Sequence, residues 1–187
     1  MAPIFTKKRF TADEYGRMVA AGILREDDRV ELIDGQVLVM HSIGPRHNAC
    51  VAHATRDLVR AAGDEAIVLP QGSVRLDLFY QPQPDLVLLR PRDDFYASRH
   101  AAPGDILLVI EISDSSLEYD RDVKAPVYAA AGIPEYWLAD LNGNVVWCYS
   151  TPERGLYRSV EERRRGQTLA PQLLPACAIA VDVLLTE

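Results

Sequence analysis

Apolar and polar positions change period several times along the chain, and each change marks an element. Thr11-Ala-Asp-Glu14 has the form of a capping box, so a helix is expected from there to about Ala21-Gly22. Arg29 to Ile33 and Gln36 to Met40 are β-prone runs separated by Asp34-Gly35, which predicts a hairpin. Pro45 is placed to open a long helix to about Ala62, with Gly63 beyond its end. Ala52, Thr55, Leu58, Val59 and Ala62 recur within it at helical spacing.

The middle of the chain reads as strands: Ala66 to Leu69, the alternating Ser73 to Leu78, Asp85 to Leu89, and Asp105 to Ser113. The last is a long apolar run suited to a buried strand. A helix is expected between Leu117 and Ala131, with Pro126 either kinking it or marking a fresh start. Gly132 and Pro134 stop it. Glu135 to Asp140 and Val145 to Tyr149 flank Leu141-Asn-Gly-Asn144, a second hairpin, with Tyr136, Trp137, Trp147 and Tyr149 packed across it. Leu156 to Val160 and Ile179 to Leu185 read as edge strands or a last short helix. No repeat or linker interrupts the pattern, so residues 1–187 are read as one mixed α/β domain with residues 1–10 a flexible tail.

Composition narrows this picture. With 48% hydrophobic and 25% charged residues, disordered and fibrous classes are excluded. The longest apolar runs, Ile106 to Ile110 and Val181 to Leu185, are far below the ~18–20 residues that span a bilayer. Met1 to Phe10 has basic residues but no apolar core, so no signal peptide is read there. Cys50, Cys148 and Cys177 are widely separated, which argues against a disulfide scaffold or zinc ribbon and fits a reduced cytoplasm. A net charge of −7 excludes a protein that coats DNA passively, but not one whose site is itself acidic.

Two carboxylates stand where a buried strand should be apolar. Asp85 follows Pro84 and opens Leu86-Val-Leu-Leu89, and Glu111 lies between Ile110 and Ile112. Burying such a group is costly unless it is paired, hydrogen-bonded or bound to a cation. From the residues alone, each acid has two readings: a side chain at a sheet edge, or part of a hard-oxygen Mg²⁺ site. Lysine occurs only at Lys7, Lys8 and Lys124, against seventeen arginines. Lys124 is therefore either a surface side chain beside Arg121 and Asp122 or a compact ammonium kept for chemistry.

Pro84-Asp85, Val109-Ile-Glu111-Ile-Ser113, Tyr119-Asp120-Arg-Asp-Val-Lys124, Tyr128 and Gly132-Ile-Pro-Glu-Tyr-Trp-Leu138 together resemble the Uma family of restriction-endonuclease-like proteins. That family belongs to the P-D…(D/E)-x-K nuclease superfamily. Val30-Glu31-Leu-Ile-Asp-Gly35 matches its upstream signature, and the resemblance runs from about Thr11 to Leu185. One departure from the superfamily matters: its spacing would put lysine at position 113, where Ser113 stands. In the family the lysine has moved to the following helix, here Lys124, whose stem reaches ~6 Å.

The resemblance implies a restriction-endonuclease-like mixed β-sheet flanked by helices, with additional β-hairpins. It implies that Asp85 and Glu111 hold Mg²⁺, or Mn²⁺, with the backbone carbonyl of Ile112 a further ligand. Lys124 would position or deprotonate the attacking water. Glu31 would complete the site from an early element, or else be a strand-surface charge opposite Arg29. Gln71, in Pro70-Gln-Gly72, would hydrogen-bond into the pocket. The expected substrate is DNA, and the expected assembly is a homodimer with no membrane partner. A different class of reading keeps the same fold as a non-catalytic binding or assembly protein, in line with the negative charge and the displaced lysine.

Other constellations carry less. His47 and His53 lie six residues apart, off a common helix face, and with His41 they lack zinc spacing. His47, at the helix start, has two readings: a solvated histidine, which is favoured, or a side chain approaching the mouth of the site. Ser113 to Ser116 lacks the glycine elbow of a serine nucleophile, and no Gly-rich phosphate loop is present. Arg163-Arg164-Arg165 after Glu161-Glu162 reads as a solvated mixed-charge segment.

Overall fold

A computed structural model describes residues 6–25, 27–40 and 43–186. Helix α1 (Ala12–Ala20) begins at the expected capping box, with both reciprocal bonds between Thr11 and Glu14 formed. Strands β1 (Val30–Ile33) and β2 (Gln36–Val39) pair antiparallel about Asp34-Gly35. Both turn residues have positive φ, the conformation a tight two-residue hairpin needs and glycine supplies without strain. Helix α2 (Pro45–Ala62) ends at Gly63.

Its buried face is not the expected one. His47, Cys50, Val51, Ala54, Leu58 and Ala62 face inward, while Ala52 and Val59 are exposed. Leu58 and Ala62 belong to both possible stripes, and the one that includes Cys50 and Ala54 is the one buried.

The central sheet has six strands in the order β3 (Ile67–Pro70), β4 (Leu86–Leu89), β5 (Ile106–Ser113), β6 (Glu135–Asp140), β7 (Val145–Glu153) and β8 (Leu156–Arg163). Only the β5–β6 pair is parallel. A parallel pair needs a crossover, and the chain between these strands is helical: α3 (Leu117–Tyr119), a π-helical turn (Asp120–Lys124) and α4 (Ala125–Ala130). Pro126 stands in the first turn of α4, directly after the π-helical irregularity in this run. It has no N–H to give, and just before it the ladder widens so that Ala125 N–H reaches Asp120 O. Gly132, at φ +75°, then ends the helix.

The sheet is covered on both sides. Leu86, Leu88, Leu108, Ile110, Ile112 and Trp137 pack with α2 and with the C-terminal Val181, Leu184 and Leu185. On the other side Val87, Leu89, Val109, Tyr136 and Leu138 pack with Tyr128 and Ile133. Strands buried on both faces read as continuous apolar runs, which is why β4 and β5 do. The hairpin aromatics divide between the faces. Tyr136 lies against Tyr149 at 5.4 Å between ring centres, whereas Trp137 sits in the opposite layer and donates its indole N–H to Glu135.

Ser73 to Leu78 is not a strand. Val74 and Leu76 are buried as the alternation predicts, but the chain folds back at once, and Val74 and Leu76 give their N–H groups to Pro82 and Tyr80. A single bridge, Val74 to Ala101, is all that remains of a ladder. Ile179 to Leu185 forms a two-residue strand β10 (Ile179–Ala180), paired with β9 (Thr168–Leu169), and a short 3₁₀ turn. In the N-terminal tail, residues 1–5 lie outside the described residues; Lys8 pairs with Glu14 and Phe10 packs near Tyr15. No described helix is long and apolar enough to cross a membrane.

Candidate functional site

Strands β4 and β5 bring the first two acids together by register. Leu86 pairs with Ile110, the last pair of the ladder, and continuing its register sets Asp85 opposite Glu111 one residue further and Pro84 opposite Ile112 two residues further. Asp85 N–H points at Glu111 Oε2, 3.4 Å away, and Ile112 N–H donates to Asp85 Oδ2 at 2.8 Å. In a strand, the N–H and C=O of one residue point the same way, so the Ile112 carbonyl also faces this strand end. Pro84 has no N–H to offer it. The proline therefore ends the ladder where the two carboxylates begin.

Lys124 comes from the π-helical turn that covers this face. Its ammonium lies 2.9 Å from Glu111 Oε1, 3.6 Å from Glu31 Oε2 and 3.9 Å from Asp120 Oδ1. All four side chains are at least nine-tenths buried. Tyr128 donates its hydroxyl to Glu111 at 2.7 Å, Tyr119 to Glu31 at 2.8 Å, and Ser116 to Asp120 at 2.5 Å. The lysine displaced from the strand thus does reach Glu111.

Burial sets the electrostatics. It pushes the Glu111 carboxyl well above its ordinary range, with Lys124 opposing that shift and the neighbouring acids adding to it. Asp120 is raised for the same reason, again against Lys124. Burial alone would lower Lys124, but the carboxylates, Glu111 foremost, outweigh it and hold the ammonium above its usual value. That direction favours the protonated form of Lys124.

The other expected residues fall into place unevenly. Glu31 is not a surface charge opposite Arg29: it is 1% exposed and accepts from Tyr119 and from Gln83 N–H. Gln71 takes part through its main chain, with its N–H on Asp85 O and its carbonyl accepting the Gln83 side chain. Ser113 is buried, with its hydroxyl 3.4 Å from that of Ser116. His47 is not solvated: it is buried, and Nε2 lies 3.0 Å from Asp85 Oδ2. The signal was its place on the stripe His47, Cys50, Val51, Ala54, Leu58. His53 lies against Thr186, and His41 is outside the described residues. Among the described residues, no three His, Cys, Asp or Glu side chains are arranged to hold a metal ion by themselves.

A helix-flanked mixed sheet with Asp, Glu and Lys gathered at the end of two central strands has the form of a nuclease-like α/β domain. The family model described as "Uma2: Putative restriction endonuclease" matches residues 12–182, and the chain belongs to that family. Among solved structures it is similar to "a putative nuclease belonging to DUF820 from Anabaena variabilis", at 16% identity and a TM-score of 0.67, covering 94% of this chain and 97% of the other. No curated protein matches.

Proposed function

We propose that this protein is a metal-dependent endonuclease that hydrolyses phosphodiester bonds in DNA. The observation that carries the reading is the approach of Lys124 to Glu111, beside Asp85, although the lysine is on a different element from the one the superfamily spacing uses. Family membership supports a nuclease, and the donor set supports a hard divalent cation. Mg²⁺ is commonly held by one or two carboxylates together with waters and substrate phosphate, so two acids and a carbonyl fit its habits without a complete protein cage.

Asp85, Glu111 and the Ile112 carbonyl would hold Mg²⁺ or Mn²⁺. When bound, that ion supplies charge that polarises the phosphate and acidifies water beside it. Lys124, kept protonated, holds the Glu111 carboxylate in place and offsets charge developing on the phosphate oxygens. Tyr128 donates its hydroxyl to the same oxygen of that carboxylate. A homodimer is part of this reading by family resemblance, and a cytoplasmic location by the widely spaced cysteines.

Purified protein incubated with supercoiled plasmid and Mg²⁺ or Mn²⁺ should nick or linearise it, and Asp85→Asn prepared in parallel should not. Equal cleavage by both proteins would refute the proposal. The non-catalytic reading is favoured instead if calorimetry finds no divalent-ion binding at millimolar concentration.

A further inference from the structure

His47 has a role that its surroundings define. It stands in the first turn of α2, 5% exposed, on the opposite side of the sheet from Lys124. Its Nε2 faces Asp85 Oδ2 at 3.0 Å, and its Nδ1 is the one buried side-chain nitrogen or oxygen without a hydrogen-bond partner among the described residues. These two facts select a tautomer. A lone pair on Nε2 would be repelled by the carboxylate, and a hydrogen on Nδ1 would be a buried donor with no acceptor. The hydrogen therefore sits on Nε2 and is donated to Asp85.

Asp85 needs such a restraint. It lies one residue before β4 and directly after a proline, where the ladder to β5 has ended. Its main chain is tied by Gln71 N–H. Its carboxylate takes Ile112 N–H from the strand and His47 from the helix, both on Oδ2. Two donors on one oxygen fix the rotation of the group and leave Oδ1 to meet a ligand. We infer that His47 is a positioning residue, which sets the carboxylate of Asp85 for a divalent cation without itself touching the ion. Its effect on ion binding rests on the function proposed above; its tautomer and its hold on Asp85 do not.

Two substitutions separate positioning from packing. His47→Gln keeps an N–H donor at similar reach, whereas His47→Leu fills the space without one. With folding checked by circular dichroism, His47→Leu should bind Mn²⁺ about tenfold to a hundredfold more weakly than wild type by calorimetry, the usual cost of losing a group that orients a ligand. His47→Gln should recover most of the affinity. Wild-type affinity in folded His47→Leu would overturn the inference.

Long-range proton–nitrogen spectra of the metal-free protein should find His47 as the Nε2–H tautomer, and the Asp85 carboxyl carbon should shift in His47→Leu or, if that variant does not fold, in His47→Ala. An Nδ1–H tautomer would overturn it equally. If wild type binds no Mn²⁺, the metal-dependent reading fails, and the spectra alone decide whether His47 holds Asp85.

Discussion

A single ammonium stands against three buried acids in this structure, and that imbalance governs what substitutions there should do. Removing Lys124 leaves Glu31, Glu111 and Asp120 without the cation that lies within 3.6 Å, 2.9 Å and 3.9 Å of them. Breaking a buried pair by deleting one partner costs about 3–5 kcal/mol, mostly because the survivor stays charged in a poor solvent. Lys124→Met should therefore lose about that much stability to urea near pH 7. With Lys124 gone, Glu111 and Asp120 would have folded pKa values further above their unfolded ones, so the stability they contribute is present at low pH and lost as pH rises. The deficit of Lys124→Met should shrink on acidification, and a deficit independent of pH would contradict the arrangement. For the same reason, lost cleavage in a Lys124 variant says less than lost cleavage in Asp85→Asn.

At the level of elements, the N-terminal helix offers a cleaner pH test because its groups are exposed. Thr11 and Glu14 bond each other's backbone, and Lys8 bonds the Glu14 carboxylate. Lys8 foremost, and the Thr11 backbone next, hold the Glu14 carboxyl down to about 2 from the usual 4.5. A lowered folded pKa means a contribution present above pH 4.5 and lost as pH falls toward 2. The stability gap between wild type and Glu14→Gln should close over that interval, and added salt should narrow it at neutral pH. A gap unchanged down to pH 2 would count against the capping contact.

Elements of this kind were legible in the sequence: the capping box, the Asp34-Gly35 hairpin and the Pro45–Ala62 limits of α2 all depend on local chemistry. What was not legible depended on partners. Ser73 to Leu78 alternates like a strand, yet its N–H groups are taken by residues just downstream. The π-helical turn follows from Pro126 only once the crossover has to return to the sheet. The burial of His47 was not legible because two helical stripes share Leu58 and Ala62, and only packing chooses between them.

Across the whole molecule, the two acids were visible as misfits in apolar strands, but no spacing rule links them to Lys124; that association came from family resemblance, and the structure sets the ammonium 2.9 Å from Glu111. The same close packing should silence the thiols. Cys50 and Cys177 are buried and Cys148 is half-buried, and burial raises all three, Cys148 to about 12. Thiolate is the reactive form, so the folded protein should resist Ellman's reagent at pH 7 while the unfolded chain titrates three thiols. Rapid modification of the native protein would mean that the core opens far more readily than its packing suggests.

The parallel pairing of β5 with β6 carries a consequence for synthesis. Glu31, His47, Asp85, Glu111 and Lys124 are scattered along the chain, and the turn bearing Lys124 lies on the crossover that joins Ile106–Ser113 to Glu135–Asp140. A nascent polypeptide still on the ribosome would hold all five side chains and yet have no assembled centre. The centre should therefore come together only once the crossover and both of its strands have been synthesised.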